Sequence, residues 1–204
     1  MMQALEQLDY HPVESLYQDW GIFQHVGPNR SGKSLGMALE AWKAFRRDVD
    51  IYCNCSVNPF TQQVEHIINF PHYDYEPGSL MQMGLKGVFI ITDQAEQFMD
   101  ATAPTKAVRQ MGYFAYQAKK RSIAWHYDTV RAKNIYNRVR LNPDWIIYSK
   151  RFPHNWRQPL KAVRLELTTD ERGDGNVQSR IRWIFNPERF FPLYNDVAMV
   201  RSED

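Results

Sequence analysis

One octapeptide of this 204-residue chain has the residue types and the spacing of a phosphate-binding loop. It is Gly27-Pro28-Asn29-Arg30-Ser31-Gly32-Lys33-Ser34, which fits the pattern G-x-x-x-x-G-K-[ST] at every fixed position. This spacing lets successive backbone N–H groups point toward a β-phosphate. Lys33 is expected to reach the β- and γ-phosphates, and the Ser34 hydroxyl is expected to be a ligand of Mg²⁺. The motif predicts binding of a nucleoside triphosphate together with Mg²⁺.

The segments on either side of the octapeptide are the ones that such a loop needs. Residues 21–26 predict a short strand that leads into it. Residues 34–47 predict a helix, because Leu35, Leu39, Trp42 and Phe45 recur at roughly helical spacing. The N-terminus of that helix would add a partial positive charge beside the phosphates.

A second run supplies a carboxylate for the same metal. Residues 87–92 are continuously apolar after a glycine and end at Asp93, which is typical of a strand buried on both faces of a parallel sheet. The second carboxylate that organises Mg²⁺ in P-loop NTPases stands at such a strand end. We therefore predict that Ser34 and Asp93 form the metal site.

The residue that handles the attacking water is left open by the sequence. Many P-loop motors have Glu directly after the metal-binding Asp, but Gln94 stands there. Glu96 could face the site as a general base if a helix begins at residue 94. Gln94 could instead orient the water without accepting its proton. Glu96 could also be purely structural.

A third predicted strand, over residues 122–128, ends in polar groups beside the expected γ-phosphate. His126, Asp128 and Thr129 are candidates for sensing that phosphate. The alternative for His126 is a core histidine, and the alternative for Asp128 is an ion pair with a neighbouring arginine. The predicted nucleotide-binding set comprises the octapeptide, Leu35 and Asp128.

Three arginines follow closely, namely Arg131, Arg138 and Arg140. In ring motors an arginine of one subunit completes the site of the next, whereas a monomeric enzyme would use one in cis. Exposed arginines with neither role are the alternative. All three arginines are candidates for this role.

Strands that alternate with helices predict an α/β fold with three layers, namely a P-loop NTPase fold with a mostly parallel central sheet. Further expected elements are a strand over residues 50–57 and a short helix over residues 61–69. Two alternating segments, 163–167 and 177–185, flank a turn and predict a C-terminal β-hairpin added at a sheet edge. We expect one domain over residues 1–204, with a core at about 21–150 and the hairpin at about 160–186.

Composition excludes some classes and favours a polyanion partner. The 44% hydrophobic and 24% charged residues are typical of a globular protein, and no run approaches the roughly 18 apolar residues of a membrane span. The net charge of +2 hides an asymmetry: residues 101–164 contain 14 Lys and Arg but only 2 acids, whereas residues 1–100 contain 6 Lys and Arg and 13 acids. Aromatic residues are interleaved with the basic ones, which favours nucleic acid, and a solvated basic face is the alternative.

The octapeptide, the segment Ile90-Ile91-Thr92-Asp93-Gln94-Ala95-Glu96 and the segment Ile135-Tyr136-Asn137-Arg138-Val139-Arg140, with Asp144 after it, resemble the FtsK–HerA superfamily of DNA-pumping ATPases. Within it the chain resembles genome-packaging ATPases of turreted icosahedral archaeal viruses. Two positions depart from the family pattern. Gln94 replaces the usual Glu, and Asp128-Thr129 stand where the family has a glutamine sensor.

The resemblance implies an ATPase that works with Mg²⁺ as a ring, expected to be a hexamer, and it makes Arg138 the candidate catalytic arginine that acts on the next subunit. It implies that double-stranded DNA is driven into a preformed capsid, with a capsid or portal-vertex protein as partner. The corresponding location is the host cytoplasm, with retention in the virion at the packaging vertex as a further option. The segments around Lys119-Lys120-Arg121 or Lys150-Arg151 would contact the DNA.

Two other functions stay open at this stage. A small P-loop kinase that phosphorylates a nucleotide or metabolite fits the chain length. A nucleotide-switched assembly protein fits the absence of Glu after Asp93.

Overall fold

A computed structural model describes residues 20–54, 56–57, 64–65, 67–102, 105–155, 157–169 and 179–194 of the chain. The strands are β1 Gly21–Val26, β2 Ile51–Cys53, β3 Ser56–Val57, β4 Val64–Glu65, β5 Tyr73–Asp74, β6 Phe89–Thr92, β7 Ala124–Thr129, β8 Trp145–Phe152, β9 Ala162–Thr168 and β10 Ser179–Phe185. The α-helices are α1 Lys33–Phe45, α2 Lys106–Ala118 and α3 Asn137–Arg140. Short 3₁₀ helices cover Pro77–Ser79, Ala95–Gln97, Lys119–Arg121, Ala132–Asn134 and Pro187–Leu193.

Eight of these strands form one mixed sheet in the order β10-β9-β8-β1-β7-β6-β2-β5. The six strands from β8 to β5 are parallel to one another, and β9 and β10 are antiparallel additions at the β8 edge. The expected α/β fold with a mostly parallel sheet and an added C-terminal hairpin is therefore confirmed. The turn expected between the two hairpin strands lies at residues 170–178, outside the described ranges.

Helices cover the sheet on both faces and create two apolar cores. On one face α1 packs against side chains of β1, β6, β8 and β9, with Phe23, Ile91 and Leu165 fully buried. On the other face α2 packs against Ile90, Trp125 and Tyr127. Because both faces of the central strands are covered, β1, β6 and β7 are buried at every position.

A buried ion pair attaches the hairpin to the helix that follows the P-loop. Oε1 of Glu40 on α1 accepts hydrogen bonds from Arg182 of β10 and from Lys43 Nζ, the latter at 2.8 Å. Burial raises the pKa of Glu40 and lowers that of Arg182 to about 10. Arg182 therefore remains charged at neutral pH, and the pair fixes β10 against α1.

Two local expectations differ from the structure. The strand expected over residues 50–57 is divided into β2 and β3, which belong to different sheets. The helix expected over residues 61–69 is wrong in the part that the structure describes, because Val64–Glu65 pairs with β3 and residues 67–70 are not helical. The physical reason is tertiary packing: Ile67 and Ile68 are both buried on the α1 side, and Ile68 bridges to Tyr194. The amphipathic element expected within residues 1–20 lies almost entirely outside the described ranges.

A pair of buried histidines links β1 to β7 inside the core. His25 Nε2 lies 3.0 Å from His126 Nδ1, and the His126 ring stacks on Phe23 and Phe89 at centroid distances of 4.3 and 4.5 Å. Burial, with a smaller contribution from Lys33, lowers the pKa of His25 from 6.5 to about 3. Burial and then the neighbouring His25 hold the pKa of His126 well below its usual value. Both rings are therefore neutral in the folded protein.

This pair predicts a pH-dependent stability. Below pH 6.5 the unfolded chain binds protons at these histidines that the folded chain does not bind, down to a pH of about 3 at His25. The free energy of unfolding should therefore rise with pH across this window, by about 1.4 kcal/mol per pH unit for each histidine. His126→Phe preserves the ring stack and removes one titrating group. Urea unfolding at a series of pH values should give a shallower pH dependence for the variant, and equal slopes would contradict the prediction.

Candidate nucleotide-binding site

The predicted phosphate-binding loop connects β1 directly to α1. The Gly27 N–H donates to the Thr129 carbonyl at 3.3 Å, and the Ser31 N–H donates to the Pro28 carbonyl at 3.2 Å, which closes the loop. Gly32 has φ of +97°, and a Cβ there would lie 2.7 Å from Cγ1 of Val163. Only glycine fits this position without strain.

The lysine of the motif points back over its own loop. Lys33 Nζ donates to the carbonyls of Gly27 at 2.9 Å and Pro28 at 3.2 Å, and it lies 3.6 Å from Asp128 Oδ2. The side chain is only 3% exposed. The ammonium group is thus fixed at the mouth of the loop, where the carbonyl bonds can be exchanged for phosphate oxygens.

The serine of the motif contacts the carboxylate that follows β6, the strand on the far side of β7 from β1. Ser34 Oγ donates to Asp93 Oδ1 at 3.2 Å, and both residues are buried. The amide of Asn54, which directly follows β2, fixes the backbone of Asp93: the Asp93 N–H donates to Asn54 Oδ1 at 2.7 Å, and Asn54 Nδ2 donates to the Asp93 carbonyl at 3.1 Å. A hydroxyl and a carboxylate at this separation are the hard oxygen donors that Mg²⁺ prefers.

A second aspartate lies beside this pair at the end of β7. Asp128 Oδ1 accepts the Gln94 N–H at 2.5 Å, while Oδ2 faces Lys33. Burial raises the pKa of Asp93, and the Ser34 hydrogen bond and Lys33 oppose that rise. Burial and then the nearby Asp93 raise the pKa of Asp128 well above its usual value. Lys33 offsets only part of the cost of negative charge here, so a further cation would stabilise the site.

The two candidates for handling water lie in one turn after Asp93. Gln94 has a left-handed backbone with φ of 51°, and its side-chain carbonyl accepts from Gln97 Nε2. Oε2 of Glu96 accepts from the Thr129 hydroxyl and, at 3.0 Å, from the Val130 N–H. Glu96 is therefore the more firmly positioned of the two side chains.

These residues border a cleft of about 210 Å³ at the carboxyl ends of β1, β6 and β7. The predicted site residues that line it are Asn29, Arg30, Lys33, Asp93, Gln94, Glu96 and Asp128. Leu35 lies outside the cleft. It is a residue of α1, and its buried side chain belongs to the core between α1 and the sheet. His126 also lies in the core, which favours its interpretation as a core histidine.

The candidate arginine does not line the cleft of its own chain. Arg138 lies on the exposed surface of α3, with its guanidinium 5.4 Å from the centre of the Tyr113 ring. Its Cβ would lie 3.0 Å from a Cβ placed on Gly112 of α2. Arg140 donates to Asn137 Oδ1 at 2.6 Å, and Asp144 accepts from the Ile22 N–H and from Lys119. Asp144 therefore has a structural role where β1 begins.

The two basic segments expected to contact DNA lie at opposite ends of the parallel strands. Lys119–Arg121 precedes β7, whose first residue pairs with Gly21 at the start of β1. Lys150 follows Tyr148, which pairs with Val26 at the end of β1. Of the two segments, the one with Lys150 and Arg151 therefore lies at the carboxyl ends of the strands, where the cleft is.

Comparison with known proteins supports the fold. No protein-family model matches the chain, and no curated protein matches it. The chain is similar to the N-terminal domain of zonular occludens toxin from Neisseria meningitidis, with 13% identity, a TM-score of 0.56, and coverage of 86% of this chain and 99% of that one. It is also similar to the genome packaging NTPase of Sulfolobus turreted icosahedral virus 2 in complex with ATP-gammaS, with 12% identity, a TM-score of 0.54, and coverage of 80% and 98%.

The DNA-packaging ATPase of Sulfolobus Turreted Icosahedral Virus gives a TM-score of 0.51 at 14% identity, with coverage of 79% of this chain and 97% of that one. At these identities the likeness shows the fold alone. The toxin domain and the packaging NTPases match with similar scores, so the likeness supports a P-loop NTPase fold and not one particular member of it.

Proposed function

We propose that this chain binds ATP with Mg²⁺ and hydrolyses it to ADP and phosphate. The observation that supports this most strongly is that Lys33 and Asp93 line one cleft, from the ends of β1 and β6 on either side of β7, with the buried Ser34 Oγ 3.2 Å from Asp93 Oδ1. The loop N–H groups and Lys33 would bind the β- and γ-phosphates. Ser34 and Asp93 would hold Mg²⁺, which when bound neutralises charge on the phosphates.

Hydrolysis requires that a water oxygen bonds to the γ-phosphorus while the bond from that phosphorus to the β–γ bridging oxygen breaks. We propose Glu96 as the group that accepts the proton of this water, because two donors from the end of β7 hold its carboxylate at the rim of the cleft. Gln94 would orient the same water, and its backbone position depends on Asp128. Asp128 would thereby connect Lys33 to the segment that handles water.

The motor function is the finer part of the proposal. We propose that copies of the chain assemble as a ring, expected to be a hexamer, in which the exposed Arg138 of one subunit reaches the nucleotide of the next. The ring would move double-stranded DNA into a preformed capsid, with a capsid or portal-vertex protein as its partner. It would work in the host cytoplasm or at the packaging vertex of the virion. The excess of Lys and Arg over acids in residues 101–164 supports the polyanion partner.

Displacement of a third strand tests the movement itself. The substrate is linear duplex DNA with a fluorescent oligonucleotide bound as a triplex, because a translocating protein strips this oligonucleotide from the duplex. We expect release that requires ATP and Mg²⁺ and that is absent with Lys33→Ala. ATP hydrolysis without release would contradict translocation and would favour a kinase or a nucleotide-controlled switch.

A further inference from the structure

The face of the hairpin extension that lies opposite α1 presents large apolar side chains to solvent. Its exposed members are Tyr148 at 41%, Ile181 at 54%, Trp183 at 42% and Phe185 at 61%. Together with the partly buried Phe152 they form what we call the aromatic face. On β10 these residues alternate with Arg182 and Ile184, which are buried on the α1 side. The aromatic face is thus the outer face of an edge strand and its neighbours.

The rings on this face form a continuous row. The rings of Trp183 and Phe185 lie 5.9 Å apart at 11° to each other, and Phe152 lies 5.1 Å from Trp183. The His154 ring continues the row at 4.5 Å from Phe152. In the register of the sheet, Phe152 and Phe185 both lie opposite Ala162, so their side chains flank it on the same face.

Cations lie between and beside the rings. Lys150, Arg164 and Trp183 lie opposite one another on β8, β9 and β10, so their side chains share the aromatic face. Glu166, which lies two residues after Arg164 on β9 and opposite Tyr148, forms an ion pair with Arg164 at 3.1 Å. The connection between β8 and β9 contains Arg157 and Lys161 and no acid. The Lys161 N–H donates to the Phe152 carbonyl at 2.9 Å, so the end of this connection lies beside Phe152 of the aromatic face.

We propose that the aromatic face binds single-stranded nucleic acid, with bases stacked on Trp183, Phe185 and Phe152 and phosphates beside Lys150 and Lys161. Exposed rings among cations are the means by which proteins bind single strands without reading sequence. Inside a duplex the base faces are covered by stacking, so a blunt duplex offers these rings only the outer faces of its two terminal pairs. The inference rests on the proposed function for the class of partner, DNA, and adds that the protein engages an unpaired strand or an unpaired end.

A second copy of the chain is the competing occupant. If two copies paired through this face about a two-fold axis, the cations of both copies, Lys150 and Lys161, would lie in one interface. Such a contact would lack charge complementarity, whereas a phosphate backbone supplies it. The charges therefore favour nucleic acid over self-pairing.

Binding of a fluorescent 12-mer of deoxythymidine to the full chain, followed by anisotropy, tests the proposal. Each stacked base contributes about 1–3 kcal/mol, so Trp183→Ala should weaken binding roughly 5- to 150-fold. Lys150→Ala should lower the slope of log K against log salt by about 0.7. Tyr113→Ala, at a ring 53% exposed on α2, is the matched control and should leave binding unchanged. Lys33→Ala should also bind normally, which separates this test from the failure of ATP hydrolysis.

Intrinsic fluorescence gives an independent reading of the same event. Among the described tryptophans, Trp42, Trp125 and Trp145 are buried and Trp20 is partly buried against the α1 core, so a base that stacks on Trp183 should quench mainly this residue. Quenching that disappears in Trp183→Phe, with the thermal unfolding midpoint retained, would support the proposal. Unchanged affinity of Trp183→Ala for the 12-mer would overturn it, as would an equal loss of affinity of this variant for a blunt duplex. Sedimentation that shows self-association lost in Trp183→Ala, without binding of the 12-mer, would assign the face to a second copy.

Discussion

Replacing Lys33 with alanine will lower kcat/KM for ATP hydrolysis by about 10²–10³-fold, the usual effect of removing one donor that stabilises transition-state charge. The physical reason is the position of the ammonium group. It is buried at the mouth of the loop, where it is held by exchangeable carbonyl contacts with Gly27 and Pro28 and by an ion pair with Asp128. Initial rates of phosphate release at several ATP concentrations measure the effect.

Lys43→Ala provides the control for Lys33→Ala. Lys43 lies on the same helix, pairs with Glu40 and is remote from the cleft, so its loss should leave kcat/KM within about twofold. Similar losses in both variants would show that helix α1, and not the ammonium group of Lys33, determines the rate. Unchanged activity of Lys33→Ala would contradict the assignment of the cleft.

Glu96→Gln will lower kcat by about 10²–10⁴-fold with little change in KM, because the amide oxygen can still accept the two hydrogen bonds but cannot take a proton. The donors at Thr129 and Val130 keep an acceptor in this variant, so the fold of this turn should be retained. Single-turnover hydrolysis measures the chemical step directly.

Gln94→Ala distinguishes the two candidates for water handling. If Glu96 is the base and Gln94 only orients the water, loss of the Gln94 side chain should cost less than loss of the Glu96 charge. The backbone N–H of Gln94 that Asp128 accepts remains in this variant. The reverse order of effects would assign the water to Gln94 and make Glu96 a brace for the end of β7.

The features that the sequence predicts well depend on contiguous residues: a motif with its flanking segments, an apolar run, or an alternation of apolar and polar residues. The strand–loop–helix unit around Lys33 depends on one octapeptide and its flanks, and the buried strand before Asp93 is a single apolar run. Parallel strands bring their carboxyl ends to one edge, so the proximity of Ser34 and Asp93 follows from the fold class. The alternating pattern of the C-terminal segments was likewise sufficient for the hairpin.

The features that were missed depend on contacts between distant segments. Asn54 fixes Asp93 through two hydrogen bonds across 39 positions, and its only signal in the sequence is a polar residue directly after β2. The helix expected over residues 61–69 is wrong because Ile67 and Ile68 belong to the α1 core. The role of Arg138 follows from the family resemblance alone, because an arginine that acts on the next subunit is positioned by the assembly and not by contacts within its own chain.

The most direct test of the account is Mg²⁺-dependent ATP hydrolysis by the full chain, measured with and without linear double-stranded DNA. The account predicts hydrolysis that needs Mg²⁺, is lost in Lys33→Ala, rises with DNA and loses that stimulation as salt is raised. Hydrolysis that is indifferent to DNA would contradict the motor and leave a nucleotide-hydrolysing site without this partner. Absence of both ATP binding and hydrolysis would contradict the central claim that this cleft is a nucleotide site.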